Sequence, residues 1–367
     1  MVLATGVICG MRRGPKSAIL ITQFLFASCE SMLETVPREK KRQGIACAGN
    51  WILDTVHTIS HWPEKSGLAI IESQHIDLGG GPANVALGLR AMGVSYPVIP
   101  IGLIGSGGMG GEVLRLCVEA GLPIDGMKRT TLATTSQTHV MNVQGDSRTF
   151  FHHRGANSLF DASSINLDAL SKAEIKLLYL GYLTLLDKLD EILPSGKTAA
   201  AHVLSEARAN GIQTCVDLAS FKSDTYQDIV KATLSEIDIL FANELEAEEA
   251  AGVNLNRGLD AEEMMKAARF LKSGGVRQAV IIHSPKNVVW YGDNVQVAVT
   301  PEPIPPEEII SAVGAGDAFA SGVLHGVHED WPVESCLTFG IRAAAACLSG
   351  YTATDGLKTL SVPASPF

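Results

Sequence analysis

The chain has 367 residues, 46% of them hydrophobic, and a formal net charge of −10. That length suits one large α/β domain with a small appendage. With no basic run longer than Arg38-Glu39-Lys40-Lys41-Arg42, nucleic acid is not an expected partner. Seven cysteines, an odd number and never spaced as CxxC, suggest neither a disulfide framework nor a zinc site and fit a reduced cytoplasm.

The first 43 residues differ from the rest. Arg12 and Arg13 precede an apolar stretch, Ser17 to Cys29, and a charged run follows to Arg42. The stretch is too short to span a bilayer. Its tail, Leu25-Phe26-Ala27-Ser28-Cys29, faintly resembles a lipoprotein cleavage box. We read residues 1–43 instead as a poorly ordered extension, or an over-long start with Met32 as initiator. From Gly44 the pattern is regular. Ile45 to Gly49 reads as a buried strand, Pro82 to Met92 as a helix, Val98 to Leu103 as a strand and Gly111 to Ala120 as a helix. Strands are expected at Ile175–Leu180, Thr214–Leu218, Ile237–Phe241 and Ala279–His283, with helices at Ala199–Ala209 and Ala261–Leu271 between them. Apolar strands alternating with amphipathic helices imply a mostly parallel sheet covered on both faces. Residues 55–78 and 134–153 break the rhythm. They read as exposed strands of a small β lid, with alternation in Thr138 to Val143 and a turn at Gln144-Gly145-Asp146.

Three motifs carry chemistry. In Gly314-Ala315-Gly316-Asp317 a glycine turn runs into a helix, so its N–H groups and the helix dipole can meet a phosphoryl group. Asp317 could there accept the proton of an attacking hydroxyl. In Gly79-Gly80-Gly81-Pro82-Ala83-Asn84 the glycines allow close backbone approach, Pro82 suits a first helical turn, and Asn84 offers donor and acceptor to a polyhydroxylated ligand. In Asn243-Glu244-Leu245-Glu246 a carboxylate one turn beyond an amide could hold water around Mg²⁺. Each has a plainer reading: a capped tight turn, a flexible helix entry, an acidic first turn favoured by the dipole. Gly105-Ser106-Gly107-Gly108-Met109-Gly110 matches GxGxxG, but it follows the second strand and lacks a downstream acidic residue, so a dinucleotide-binding dehydrogenase is set aside.

Taken together and in their order along the chain, the first three motifs resemble the ribokinase-like, or PfkB, family of carbohydrate kinases. Gly49 to Asp54 is similar to the family's opening segment, and Gly155-Ala156-Asn157 to its return from the lid. The resemblance implies a three-layer α/β/α fold over residues 44–360, an ATP-dependent sugar kinase of the ribose, fructose or ketogluconate class, and Mg²⁺. It implies Asp317 as base and Gly314, Ala315 and Gly316 as anion hole. Substrate would lie against Asp54, Gly79, Gly80 and Asn84, and nucleotide against Asn243, Glu246 and His283, with Glu246 reaching the metal through water. It also implies a homodimer through the lid. The nucleotide half departs from the pattern. Ser311-Ala312 stands for Asp-Thr, His283-Ser284-Pro285-Lys286 for Thr-x-Gly, and Arg342 for an adenine-side Asn. A monovalent-cation site is therefore expected to be weak or absent. The alternative is a non-catalytic sugar- or nucleoside-binding relative, which would have no need of Asp317.

Overall fold

The computed structural model describes residues 41–143, 149–221, 223–255, 260–363 and 365–366. The amino-terminal segment up to residue 40, with Cys9 and Cys29, and the turn expected at Gln144-Gly145-Asp146 lie outside the described residues. From Arg42 to Phe367 the chain forms one unit. Its elements in chain order begin β1 (Ile45–Gly49), β2 (Ile52–Ile59), β3 (Ile71–Gly79), α1 (Gly81–Ala91), β4 (Val98–Gly105), α2 (Gly108–Glu119), β5 (Met127–Thr130), β6 (Gln137–Asn142) and β7 (Thr149–His153). Next come α3 (Leu167–Lys172), β8 (Leu177–Leu183), α4 (Ala199–Ala209), β9 (Gln213–Leu218), α5 (Tyr226–Thr233), β10 (Ile239–Asn243), α6 (Glu244–Ala251) and α7 (Ala261–Ser273). The last are β11 (Ala279–His283), β12 (Val288–Gly292), β13 (Gln296–Val299), α8 (Ala315–His328) and α9 (Val333–Leu348).

Nine strands form the main sheet in the order β13-β12-β11-β10-β9-β8-β1-β4-β5. It is parallel from β5 to β11, and only β12 and β13 run antiparallel at one edge. Alternate strand residues feed two cores. Ala46, Leu178 and Leu240 pack on one face with Leu204, Ile229, Ala247 and Met264 of α4 to α7. Ile45, Tyr179 and Phe241 pack on the other with Leu89, Val113, Phe319 and Phe339 of α1, α2, α8 and α9. Such alternation gives the inner strands two buried faces, which is why they read as near-continuous apolar runs, whereas the edge strands β5 and β13 are partly exposed. The result is three layers, helices over sheet over helices.

A second sheet of four strands, β3-β2-β6-β7, stands apart and uses the stretches expected as a lid. Only Asn50 and Trp51 link β1 to β2, and both are buried. The Trp51 indole N–H donates to Ile101 C=O (3.0 Å), Asn157 Nδ2 donates to Trp51 C=O (3.2 Å), and Asn50 Nδ2 donates to Leu185 C=O (3.1 Å). The root of the small sheet is thereby tied to the large one.

Several boundaries differ from expectation: β4 runs to Gly105, β8 spans Leu177–Leu183 and not Ile175–Leu180, and α7 runs to Ser273. Helix α2 starts at Gly108, not Gly111, and its first turn packs so closely on the end of β4 that a Cβ on Gly110 would overlap the Gly105 carbonyl oxygen. Strand β10 runs on to Asn243, so Asn243 itself caps α6. Among the described residues no helix is long and apolar enough to cross a membrane, and Cys47, Cys117, Cys215, Cys336 and Cys347 are free and buried.

Candidate active site

Helix α8 opens on Gly314, whose φ of 80° lies in the left-handed region; a Cβ there would stand 2.4 Å from Ala353 Cβ. Glycine meets both demands. The first helical hydrogen bond of this turn runs from Ala318 N–H to Gly314 C=O (2.8 Å). Of the amides ahead of it, that of Ala315 donates to Ala312 C=O (3.4 Å), and the others are the donors that a helix start leaves for an anion.

Asp317 sits in this first turn, buried. Its Oδ2 accepts from Asn84 Nδ2 (2.8 Å) and from the Tyr182 hydroxyl (3.0 Å). Burial pushes its carboxyl up to about 6, against the opposing pull of these two bonds. A group poised near neutrality can both take and release a proton. Tyr182 reaches Asp317 from an irregular stretch of β8, where pairing with β9 shifts register between Leu180 and Leu183 and Tyr182 itself holds φ at 65°. Such a bulge re-aims a side chain. Burial, reinforced by the Asp317 charge, keeps the Tyr182 phenol protonated and hence a donor.

Asp54 comes from β2 of the small sheet, paired in register with Asp77 of β3 and Thr138 of β6. Burial pushes its carboxyl to about 7; a hydrogen bond from Thr138 opposes this, and the charges of Asp77 and Asp317 add to it. A Cβ on Gly79 would stand 2.0 Å from Asp54 Oδ2, so only glycine lets the carboxylate lie against this backbone. Gly80, next in the chain, is the N-cap of α1 and leads to Asn84. Asp54 Oδ1 and Asn84 Oδ1 are both buried without a protein partner. They line a cleft of about 470 Å³ that also touches Asp77, Val313 and Tyr351. Buried acceptors of this kind require a donor from a ligand or water.

On the other side, Asn243 and Glu246 form a capping box. Asn243 Oδ1 accepts from the Glu246 amide (2.9 Å) and Glu246 Oε2 accepts from the Asn243 amide (2.8 Å). Glu246 Oε1 accepts from Asn243 Nδ2 (2.8 Å) and from the Ser220 hydroxyl (2.7 Å). Burial pushes Glu246 to about 7. A carboxylate has about four lone-pair sites, so these three bonds leave room for a bound water. Among the described residues no group of three or more His, Cys, Asp or Glu could hold a metal directly. A hard cation such as Mg²⁺, which keeps several waters, fits a single carboxylate reached through water. Behind Glu246 lies Asp217, which takes a bond from the Tyr179 hydroxyl (2.9 Å) and is raised by burial and by the charges of Glu246 and Asp317.

His283, at the end of β11, tilts over Phe319 (ring centroids 5.0 Å apart), and its Cε1 lies 3.1 Å from where a Gly316 Cβ would be. Burial lowers its pKa to about 4, so the ring is neutral. Ser311 is buried with its Oγ accepting from the Val313 amide (3.2 Å), whereas Lys286 and Arg342 are exposed.

The expected residues thus fall into three groups around Asp317: Asp54, Gly79, Gly80 and Asn84 on the cleft side, Gly314 to Gly316 with His283 at the helix mouth, and Asn243 with Glu246 beyond. Sequence reasoning missed Tyr182, Thr138, Asp77, Asp217 and Ser220. Tyr182 and Asp217 lie near the carboxyl ends of parallel strands, where such sheets bind ligands, and that rule could have singled them out.

The family model described as pfkB family carbohydrate kinase matches residues 44–360. A cytidine kinase from Thermococcus kodakarensis is 33% identical over 144 residues, 38% of this chain and 49% of that protein, about half its length. A 5-dehydro-2-deoxygluconokinase from Geobacillus kaustophilus is 23% identical over 77% of this chain and 82% of its own. The structure of Arabidopsis thaliana ribokinase complexed with ribose and ATP superimposes with a TM-score of 0.69 at 18% identity, covering 87% of this chain and 97% of that one. The fold is ribokinase-like.

Proposed function

The chain belongs to the PfkB family of carbohydrate kinases, and from that premise we propose that it transfers the γ-phosphoryl group of ATP to a hydroxyl of a sugar or sugar-like molecule, with Asp317 as general base. The observation that carries this reading is the setting of Asp317. Its Oδ2 is taken by Asn84 and Tyr182, which leaves Oδ1 to accept the proton of the attacking hydroxyl. The amides of Gly314, Ala315 and Gly316 lie beside it, where charge accumulates on the transferring group. His283 adds a neutral ring N–H at the same mouth.

The substrate hydroxyls bind Asp54 and Asn84, whose unpartnered oxygens call for donors, and the Gly79-Gly80 backbone allows their close approach. Asn243 and Glu246 face the phosphates. Mg²⁺, held through water on Glu246, supplies neutralising charge to those phosphates when bound. The small sheet acts as a lid that excludes water as a competing acceptor. Trp62 and Phe151, half exposed and stacked 6.4 Å apart on it, support a homodimer through that sheet. Buried reduced thiols and ATP use go with a cytoplasmic location.

The test is ADP release across sugars, sugar acids and nucleosides, with Asp317→Asn as control. Turnover that falls at least ~10²-fold in the variant is expected for a lost general base. Binding without turnover in the wild type would favour a non-catalytic sugar-binding relative.

A further inference from the structure

The cleft beside Asp317 is rich in acceptors and poor in available cations. Asp54 and Asp77 face each other in register on neighbouring strands, and both line the cleft with Asp355. Asn84, only 7% exposed, turns an unpartnered Oδ1 into the same space, and Asp54 Oδ1 is unpartnered too. Asp77 Oδ1 accepts from the Leu78 amide (2.8 Å), which fixes the carboxylate, and the Asp54 and Asp77 charges act on one another.

Among the described residues, the cations nearby are already engaged. Lys358 Nζ bonds Asp355 Oδ1 (3.0 Å), and Arg154 bonds Asp187. His152 shares a hydrogen bond with Thr138 (3.1 Å), and burial with the neighbouring Arg154 charge lowers its pKa, which keeps the ring neutral. His75 lies 3.9 Å from Asp77. Among the described residues lining the cleft, no arginine or lysine appears.

We propose that this cleft, with Asp77 set beside Asp54, selects a non-anionic polyol rich in hydroxyl or amino donors and rejects sugar acids and sugar phosphates. This rests on the sugar-kinase reading and narrows it. A neutral sugar satisfies Asp54 and Asn84 with its hydroxyls, and an amino group can add a charge-assisted bond to Asp77. A carboxylate or phosphate entering the same space meets the Asp77 and Asp355 carboxylates beside Asp54, and among the described lining residues it finds no arginine or lysine to pair with; such juxtaposition is how charged sites exclude wrong partners.

The experiment compares ribose, fructose, cytidine and glucosamine with gluconate, 2-ketogluconate and fructose 6-phosphate on the full chain. Binding is measured by calorimetry and turnover by ADP release with MgATP. The neutral and amine-bearing group should exceed the anionic group by ~10²-fold or more in affinity and kcat/KM. Asp77→Asn keeps the acceptor for the Leu78 amide and should narrow that ratio about tenfold, mainly by admitting anions. If nothing is turned over but calorimetry keeps this order, the kinase reading fails and the selectivity stands. An anionic sugar as best ligand, an unchanged ratio in Asp77→Asn, or no binding of any non-anionic member overturns the proposal.

Discussion

Tyr182→Phe tests how the fold sets the working pH of Asp317. The substitution keeps the ring packed beneath Gly81 and removes only the hydroxyl that donates to Asp317 Oδ2 at 3.0 Å. A hydrogen bond to a charged group is worth about 1.5–3 kcal/mol, and one pKa unit corresponds to about 1.4 kcal/mol. Losing the bond disfavours the carboxylate, so Asp317 should move from about 6 up by roughly one to two units. At pH 7 the ionised fraction then falls from about nine-tenths to between a half and a tenth. A base must be deprotonated to act, so the acidic limb of the kcat–pH profile shifts upward. The assay is kcat at saturating sugar and MgATP from pH 5.5 to 9.5, with thermal melting as a check on folding. Activity lost at pH 7 and regained at pH 9 is expected. A loss equal at both pH values, or an unmoved limb, would refute the link between this hydroxyl and the ionisation of Asp317.

Asp54→Asn should weaken sugar binding by about 1–3 kcal/mol, the worth of a well-placed hydrogen bond, and calorimetry reads that directly. The same variant should melt higher at pH 8 but not at pH 4. The folded-state pKa, raised to about 7 from 3.8, makes the native state the tighter proton binder across that window, so stability falls as pH rises through it and the neutral amide escapes the loss. For the nucleotide side, replacing K⁺ by a bulky organic cation at constant ionic strength should leave the initial rate nearly unchanged, because Ser311 and Ala312 bring no carboxylate to the turn. A severalfold activation by K⁺ would show a cation site built without one.

The three-layer architecture was legible because buried parallel strands leave unbroken apolar runs: Ile45–Gly49 and Ala279–His283 could be bounded to the residue. The glycine-led turns before Asn84 and Asp317 were legible because only glycine serves there. Tyr182 was not, since the expected strand stopped at Leu180, whereas the observed one runs to Leu183, and nothing in Leu-Leu-Tyr-Leu-Gly-Tyr-Leu announces a register shift. Asp77 was lost in a strand whose exposed residues give no sign of which face meets the cleft. Helix α9, which meets α8 where Gly340 lies against Val323 and Phe319, carries an Ala-Ala-Ala-Ala run that gives too little contrast between faces to declare itself. The Asn243–Glu246 pair was found, but its reciprocal capping bonds depend on β10 running to Asn243, two residues past the expected end.

The tied root of the small sheet has a kinetic consequence. Asn50 and Trp51 are held to Leu185, Ile101 and Asn157, and Asp54 follows three residues after Trp51, behind the buried pair Ile52 and Leu53. Any swing of the outer strands must then pivot beyond Asp54, so the Asp54–Asn84 half of the pocket stands assembled at encounter. Sugar association in the absence of nucleotide should accordingly proceed in a single phase, with an observed rate that climbs linearly with sugar concentration. A plateau in stopped-flow traces would instead reveal a slow rearrangement upstream of capture, with the pivot at Asn50.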